Sequence, residues 1–208
     1  MSLCERWILP RLTHLSMRQK QLAAYRARAL AGARGRVLEI GIGSGLNLPF
    51  YGHGVQCVLR VDPSPELIRL AEKAAGKASF PVEFLVSVGR RNDAREDSID
   101  AAVTTWPLCT IPDAVRAFRE VRRALKPDRL LIFVKHGRAP EPKVVVWQDR
   151  LTPLWQRCAG GCHLNRKIDD LVREAGFSIA ELRTGYAKGP RPMAFMYEGH
   201  ASCLEQRS

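Results

Sequence analysis

Three glycines at alternate positions, Gly41, Gly43 and Gly45, stand between two acids, Glu39 and Asp62, in a chain of 208 residues. The surrounding stretch, residues 35–50, reads GRVLEIGIGSGLNLPF. Glycine is used where backbone turns sharply or comes close to a ligand. The run at 37–40 reads as a short buried parallel strand, and Asn47-Leu48-Pro49 reads as a helix start. A strand that runs into a tight glycine loop is how a doubly wound sheet holds a nucleotide-like ligand. The spacing G-x-G-x-G differs from the G-x-G-x-x-G of dinucleotide sites, which set a pyrophosphate on a helix N-terminus.

S-Adenosylmethionine carries no phosphate. It has an amino-acid tail, a sulfonium and an adenosine. Glu39, ahead of the glycines, suits a ligand with cationic groups, and Asp62, at the end of the second strand, stands where a carboxylate accepts from both ribose hydroxyls. The competing reading makes Glu39 and Asp62 simple caps of neighbouring helices. A second group of residues could act on the acceptor. His136 follows the carboxyl end of a strand, where sites of α/β proteins form, and it is a candidate general base. Asp149 is a second candidate, with a helix-surface ion pair as its alternative. The segment CAGGCH, residues 158–163, has two thiols and an imidazole in no common zinc spacing and reads as a glycine-rich turn, so no metal site is expected. Cys109 follows Pro107-Leu108, not the Pro-Cys of cytosine-C5 methylation, and reads as a buried thiol.

The elements that would position these residues alternate between strand and helix. Strands are expected at 57–61, 82–88, 98–106 and 129–137, besides 37–40. A helix follows Asp62, opened by Ser64 with Pro65 and Glu66 behind it. An amphipathic helix covers 113–128 and stops at Pro127. Such alternation means a parallel sheet. Residues 1–34 form an N-terminal helical segment, two short helices or one kinked at Pro10. Residues 138–163, with three prolines and two tryptophans, read as a cap over the open end of the sheet. Gly176 would cap a further helix, and two last strands close an antiparallel pair. The whole chain reads as one domain.

Composition narrows the class. Hydrophobic residues make 46% and charged residues 26% of the chain, as in a soluble globular protein. No apolar run approaches a membrane span, and the N-terminus has neither the apolar core nor the cleavage site of a signal peptide, so a cytoplasmic location is the expectation. The six cysteines are then free thiols. The net charge of +12 points to nucleic acid, an anionic membrane or acidic substrates. No basic run with interleaved aromatics and no base-methylation motif accompanies it, which speaks against nucleic acid. Peripheral contact with an anionic membrane would use the basic, amphipathic N-terminus with Trp7, Ile8, Leu9 and Leu12.

The chain resembles class I S-adenosylmethionine-dependent methyltransferases, in the ubiquinone/menaquinone-biosynthesis-like branch that includes small-thiol S-methyltransferases and phospholipid N-methyltransferase-like proteins. VLEIGIGSGLNLPFY, VDPSPEL, SIDAAVTTWPLCTIPD and ALKPDRLLIFVKHG carry the superfamily likeness. VVVWQDRLTPLWQRCAGGCHLNRKIDDLVREAGF carries the branch. The resemblance implies a Rossmann-like sheet of seven strands, the last antiparallel, with helices on both faces. It implies that Gly41, Gly43, Gly45 and Asn47 line the methionine moiety, that Asp62 and Pro63 meet the ribose, and that Trp106 and Leu108 lie beside the cofactor. The sequence departs from the pattern in three places. In SVGRRNDARED, residues 87–97, Val88 stands where an adenine-binding Asp or Ser is usual and Arg90 where an acid is usual, and this loop has no Leu-Pro; Lys135 stands where Glu or another small or acidic residue is usual. The activity implied is methyl transfer to a small-molecule or lipidic acceptor, a thiol or an amine. The alternatives are a phospholipid- or quinone-type methyltransferase at a membrane surface, and a non-catalytic protein that keeps the fold for binding.

Overall fold

A computed structural model describes residues 9–62, 64–84, 96–106 and 110–203. Trp7, Ile8, Pro63, Val88, Arg90, Leu108 and Cys109, to which the sequence assigns roles, lie outside the described residues. Seven strands form one sheet in the order β3-β2-β1-β4-β5-β7-β6. They are β1 (Gly35–Ile40), β2 (Val55–Val61), β3 (Val82–Phe84), β4 (Ile99–Thr105), β5 (Leu125–His136), β6 (Phe177–Tyr186) and β7 (Phe195–Cys203). The first five run parallel, and β7 lies antiparallel between β5 and β6. The sheet is the mostly parallel, Rossmann-like one expected, with its last strand reversed.

Helices cover both faces. On one side α2 (Lys20–Leu30) and α3 (Pro65–Ala75) bury Leu30 and Ala71 against Val37, Val58 and Ile132. On the other, α4 (Ala114–Ala124) and α6 (Ile168–Glu174) bury Phe118, Val121 and Val172 against Leu38, Leu131 and Phe133. The central strands carry apolar side chains on both faces because both faces are covered. Ser64 opens α3 as its sequence suggests, its Oγ accepting from Leu67 N at 3.4 Å, and Asp113 opens α4, accepting from Arg116 N at 2.9 Å. Gly176 takes a left-handed φ of 89° just past α6.

The N-terminal segment takes one of its two expected forms, two short helices, α1 (Leu9–Met17) and α2, with the break between them. Two expectations are corrected. Asn47-Leu48-Pro49 opens only a single 3₁₀ turn, Leu48–Phe50, because Gly52 and Gly54 follow at once. Helix α4 ends at Ala124, three residues ahead of Pro127, and β5 begins immediately. A register shift between Ile99 and Ala101, with Asp128 at φ 57°, absorbs the turn. Residues 138–163 are mostly one 17-residue helix, α5 (Pro142–Cys158). It is followed by a turn in which Gly160 and Gly161 both take positive φ.

Strand β7 is held by close contact. A Cβ at Gly199 would lie 2.4 Å from Glu181 O and 2.8 Å from Phe133 Cζ. Gly199→Ala is therefore expected to destabilise the protein by ~1–3 kcal/mol, read as a lower urea midpoint at unchanged slope.

Candidate cofactor and acceptor site

The glycine loop joins β1 to the 3₁₀ turn, and all three glycines take left-handed φ: Gly41 68°, Gly43 57° and Gly45 78°. A Cβ at Gly45 would strike Ala74 Cβ at 2.9 Å, so this glycine lets the loop seat on α3. A Cβ at Gly43 would meet nothing within 4 Å. Its N–H instead donates to Asp62 Oδ2 at 2.8 Å, while Ser64 N donates to Oδ1 at 2.9 Å. The two N–H groups fix the carboxylate at the carboxyl edge of β2. Burial pushes the Asp62 carboxyl above its usual range, against those N–H bonds and the nearby Arg60.

Glu39 is wholly buried. Its Oε1 accepts from Asn47 Nδ2 at 2.6 Å and its Oε2 from Tyr51 OH at 2.9 Å. Asn47 Nδ2 also donates to Thr105 Oγ1 at 2.8 Å. Asn47 Oδ1 accepts from Arg26 Nε at 3.1 Å. Burial, outweighing the bonds from Tyr51 and Asn47, pushes Glu39 up to about 7. Glu39 thus serves the loop through Asn47. Arg26, on α2 and 4% exposed, was not found by sequence reasoning. Its guanidinium lies over the Trp106 ring, 4.6 Å from the centroid. Only its distance from the loop in sequence hid it.

Trp106, just past β4, takes φ 67°, a conformation a bulky side chain adopts at a cost. Bonds to its N–H and to its carbonyl hold it there. Its N–H donates to Val134 O at 2.8 Å, and the buried Lys135 Nζ donates to its carbonyl oxygen. Lys135, the departure noted in the sequence, is therefore a clamp on the strand end. Helix α1 lies across the loop, with His14 Nδ1 2.6 Å from Ser44 Oγ. Burial and then Arg18 hold His14 below the ordinary imidazole range.

Beside Trp106 opens a cavity of about 260 Å³. Met17, Leu22, Trp155, Leu164 and Met193 line it together with Trp106, and His136 is part of its wall. Gln21 ties its rim, exchanging bonds of 3.1 and 3.0 Å with the backbone of Lys188. Gln148, fully buried on α5, accepts from Ala139 N at 2.9 Å. Its Nε2 lies 2.9 Å from Gly137 O and 3.0 Å from Leu164 O. That staple fixes α5 so that Trp155 faces the cavity. Trp147 does not join it and is 56% exposed. The structure also keeps Asp149 away: it is exposed, 3.1 Å from Arg138 Nη1 and 2.7 Å from Asn165 Nδ2, and is not among the lining residues. His136 Nε2 lies 3.2 Å from the Sγ of buried Cys162, a contact the CAGGCH reading missed.

The chain matches, over residues 38–133, the sequence family described as methyltransferase domain. It is 34% identical over 150 residues to thiol S-methyltransferase TMT1B of Rattus norvegicus, covering 70% of this chain and 61% of the relative. It is 30% identical over 178 residues to the Homo sapiens TMT1B, covering 83% and 71%. The chain belongs to the class I S-adenosylmethionine-dependent methyltransferases. Among solved structures, a SAM-dependent methyltransferase of Methanosarcina mazei superposes with a TM-score of 0.64 at 24% identity, over 81% of this chain and 92% of that one. The match spans just over three fifths of the rat relative's length.

The residues fit the cofactor. An open Gly43 backbone, a carboxylate fixed at the end of β2 and a buried guanidinium beside an indole provide for ribose hydroxyls and an amino-acid tail, with no phosphate cradle. The raised Glu39 pKa carries a stability signature. The folded state holds a proton there that the unfolded chain releases near its ordinary value of about 4.5. This contribution is fully present below that value and is lost as pH rises through about 7. The unfolding free energy of the cofactor-free protein is expected to fall between these pH values, and Glu39→Gln to flatten that fall, measured by urea titration at stepped pH.

Proposed function

We propose that the protein methylates a small, largely apolar thiol, with His136 as the general base. The observation that supports this most is the cavity beside Trp106. It is small for a ligand pocket, its wall is mostly apolar, and among the described lining residues there is no carboxylate. An amine acceptor arrives as an ammonium ion and needs a carboxylate to bind it and a base to remove its proton. A thiol arrives neutral or partly ionised, sits well against methionine and indole, and loses its proton readily. Imidazole is the side chain best matched to take that proton near neutral pH. The thiol S-methyltransferase names of the relatives agree with this reading.

S-Adenosylmethionine supplies a methyl group on a positively charged sulfur, already activated toward a nucleophile. The protein's part is to hold, orient and dry the site. Asp62 fixes the ribose end. Arg26 faces the amino-acid tail and takes its carboxylate, and Asn47, set by Glu39, shapes the loop around it. Trp106 divides cofactor cleft from acceptor cavity. The net change converts thiol and cofactor to thioether, S-adenosylhomocysteine and one proton.

Purified protein given S-adenosylmethionine is expected to form S-adenosylhomocysteine with short alkyl thiols and not with primary amines of the same length. Turnover of the amines alone would overturn the reading. Asp62→Ala and Arg26→Met are expected to weaken cofactor binding in calorimetry at least ~10-fold, as loss of a hydrogen bond to a charged group does. His136→Asn is expected to lower kcat ~100-fold with cofactor binding intact.

A second reading concerns where the acceptor comes from. No helix among the described residues is long and apolar enough to cross a membrane. Among the described residues, five of the six exposed large apolar side chains nevertheless lie on the two helices flanking the cavity: Leu12 and Leu15 on α1, Val146, Trp147 and Leu154 on α5. Arg11, Arg18, Arg150 and Arg157 stand on or beside the same helices. Apolar side chains among arginines fit the headgroup region of an anionic bilayer. The protein is expected to co-sediment with phosphatidylglycerol vesicles, less so in high salt, and not with phosphatidylcholine vesicles. Trp147→Asp with Leu154→Asp should release it. Equal recovery with both lipids, or with neither, would sink the membrane reading and leave the thiol reading standing.

A further inference from the structure

The connection between β6 and β7 makes one wall of the cavity beside Trp106: Ala187, Lys188, Gly189, Pro190, Met193 and Ala194 all line it. Inside the connection, Ala187 N donates to Ala194 O and Met193 N to Pro190 O, each at 2.9 Å. Its middle, Lys188-Gly189-Pro190, is exposed, and Gly189 takes φ 147°, a region that suits glycine alone. Three side chains fasten this wall from outside. Buried Gln148 on α5 donates to Pro192 O at 3.1 Å. Glu141, just ahead of α5, accepts from Tyr186 OH at 2.6 Å and from Arg191 Nη2, and the Arg191 guanidinium lies over the Tyr186 ring. Gln21 on α2 holds the other side. Its Oε1 accepts from Lys188 N at 3.0 Å and its Nε2 donates to Lys188 O at 3.1 Å.

A carboxamide is suited to this last clasp. It meets the N–H and the C=O of one residue as a neighbouring strand would, and the opposite polarity of those groups fixes which end of the amide is oxygen. Nε2 has a second hydrogen, and Gln19 Oε1 takes it at 2.8 Å. Among the described residues, the hydrogen bonds that hold the Lys188 backbone are those of Gln21. The wall is thus fixed to α5 at Pro192 and Arg191, and to α2 at Lys188. An apolar cavity rejects a longer chain only as far as its walls refuse to yield. We infer that Gln21 is a positioning residue that sets the length of acceptor the protein takes: by clamping the Lys188 peptide to α2 it holds the 187–194 wall closed on a cavity of about 260 Å³ and turns away thiols whose chains outgrow it. The inference rests on the reading of this cavity as the acceptor's. It adds what gives the cavity its limit.

Straight-chain thiols from ethanethiol to decanethiol, given with S-adenosylmethionine, are expected to show a kcat/KM that climbs with length and then breaks off. In Gln21→Ala the ratio of kcat/KM for decanethiol to that for butanethiol is expected to rise ~10-fold. Gln21→Glu keeps the side chain's length and an acceptor for Lys188 N, but sets a carboxylate oxygen against Lys188 O, and the ratio should rise as much. Both substitutions suit the first turn of α2, so the fold is kept. Straight-chain alcohols of the same lengths, titrated into the protein with S-adenosylhomocysteine bound and followed by tryptophan fluorescence, repeat the comparison without chemistry. Their length preference is expected to shift the same way. A length profile unchanged in both variants, or a loss in equal proportion at every length, would overturn the inference. If no thiol of any length is methylated, the thiol reading falls instead, and the alcohol series still decides whether Gln21 sets the length.

Discussion

The carboxyl group of Glu39 is shut off from bulk solvent and has to be satisfied by protein. A buried carboxyl left unpartnered costs several kcal/mol, and two side chains are arranged to prevent that. Tyr51, past the 3₁₀ turn, gives one oxygen a hydroxyl, and Asn47, at the turn's start, gives the other an amide. The glycine loop between them is thereby tied back onto the strand it left. Asn47 passes the constraint on, to Thr105 at the end of β4 and to Arg26 on α2. One side chain thus sets the relative placement of loop, central strand and N-terminal helix. Its high pKa is the visible sign of this internal duty.

Charge is distributed around that network in a way that favours a ligand with both signs. Arg26 and Arg60 lie on the carboxylates' side of the sheet. Arg60, in register with Glu39 on the next strand, is buried against the Phe84 ring, and its three nitrogens have no hydrogen-bond partner among the described residues. Burial pushes its pKa down to about 10. Its field partly offsets Asp62 and Glu39, which keeps two acids close together without the full cost of like-charge repulsion. The residues around the glycine loop thus carry both signs of charge, although the chain as a whole carries +12.

Local features of this site were legible in the sequence, because the residues that make them are close together in the chain. The glycine loop, Asp62 with its Ser64-capped helix, and the strand and helix alternation all follow from neighbours within a few positions. Long-range pairings were not legible. Arg26 reaches Asn47 and Trp106 only because α2 folds back over the sheet. Cys162 reaches His136 across 26 residues, and no spacing rule for thiols and imidazoles predicts it. Asp149 was overvalued for the same reason: its partners are Arg138 and Asn165, brought in by the fold, not the adjacent Arg150. Trp147 and Trp155 looked equivalent as cap residues. Gln148 decides between them by turning one face of α5 inward.

The last two residues of β5 show how strand geometry divides the labour. Successive side chains leave a strand on opposite faces, so Lys135 and His136 cannot serve the same neighbour. Lys135 turns to the backbone of Trp106 and holds it at a positive φ. His136 turns to the cavity beside Trp106 and to Cys162. The indole and the imidazole that line this cavity are therefore held by adjacent residues of one strand. A residue of the Glu type at 135 would place a carboxylate under the Trp106 carbonyl, where two acceptors would face each other. The lysine removes that conflict and supplies the donor that a strained strand end requires. The departure from the family pattern at this position thus keeps the site's geometry intact.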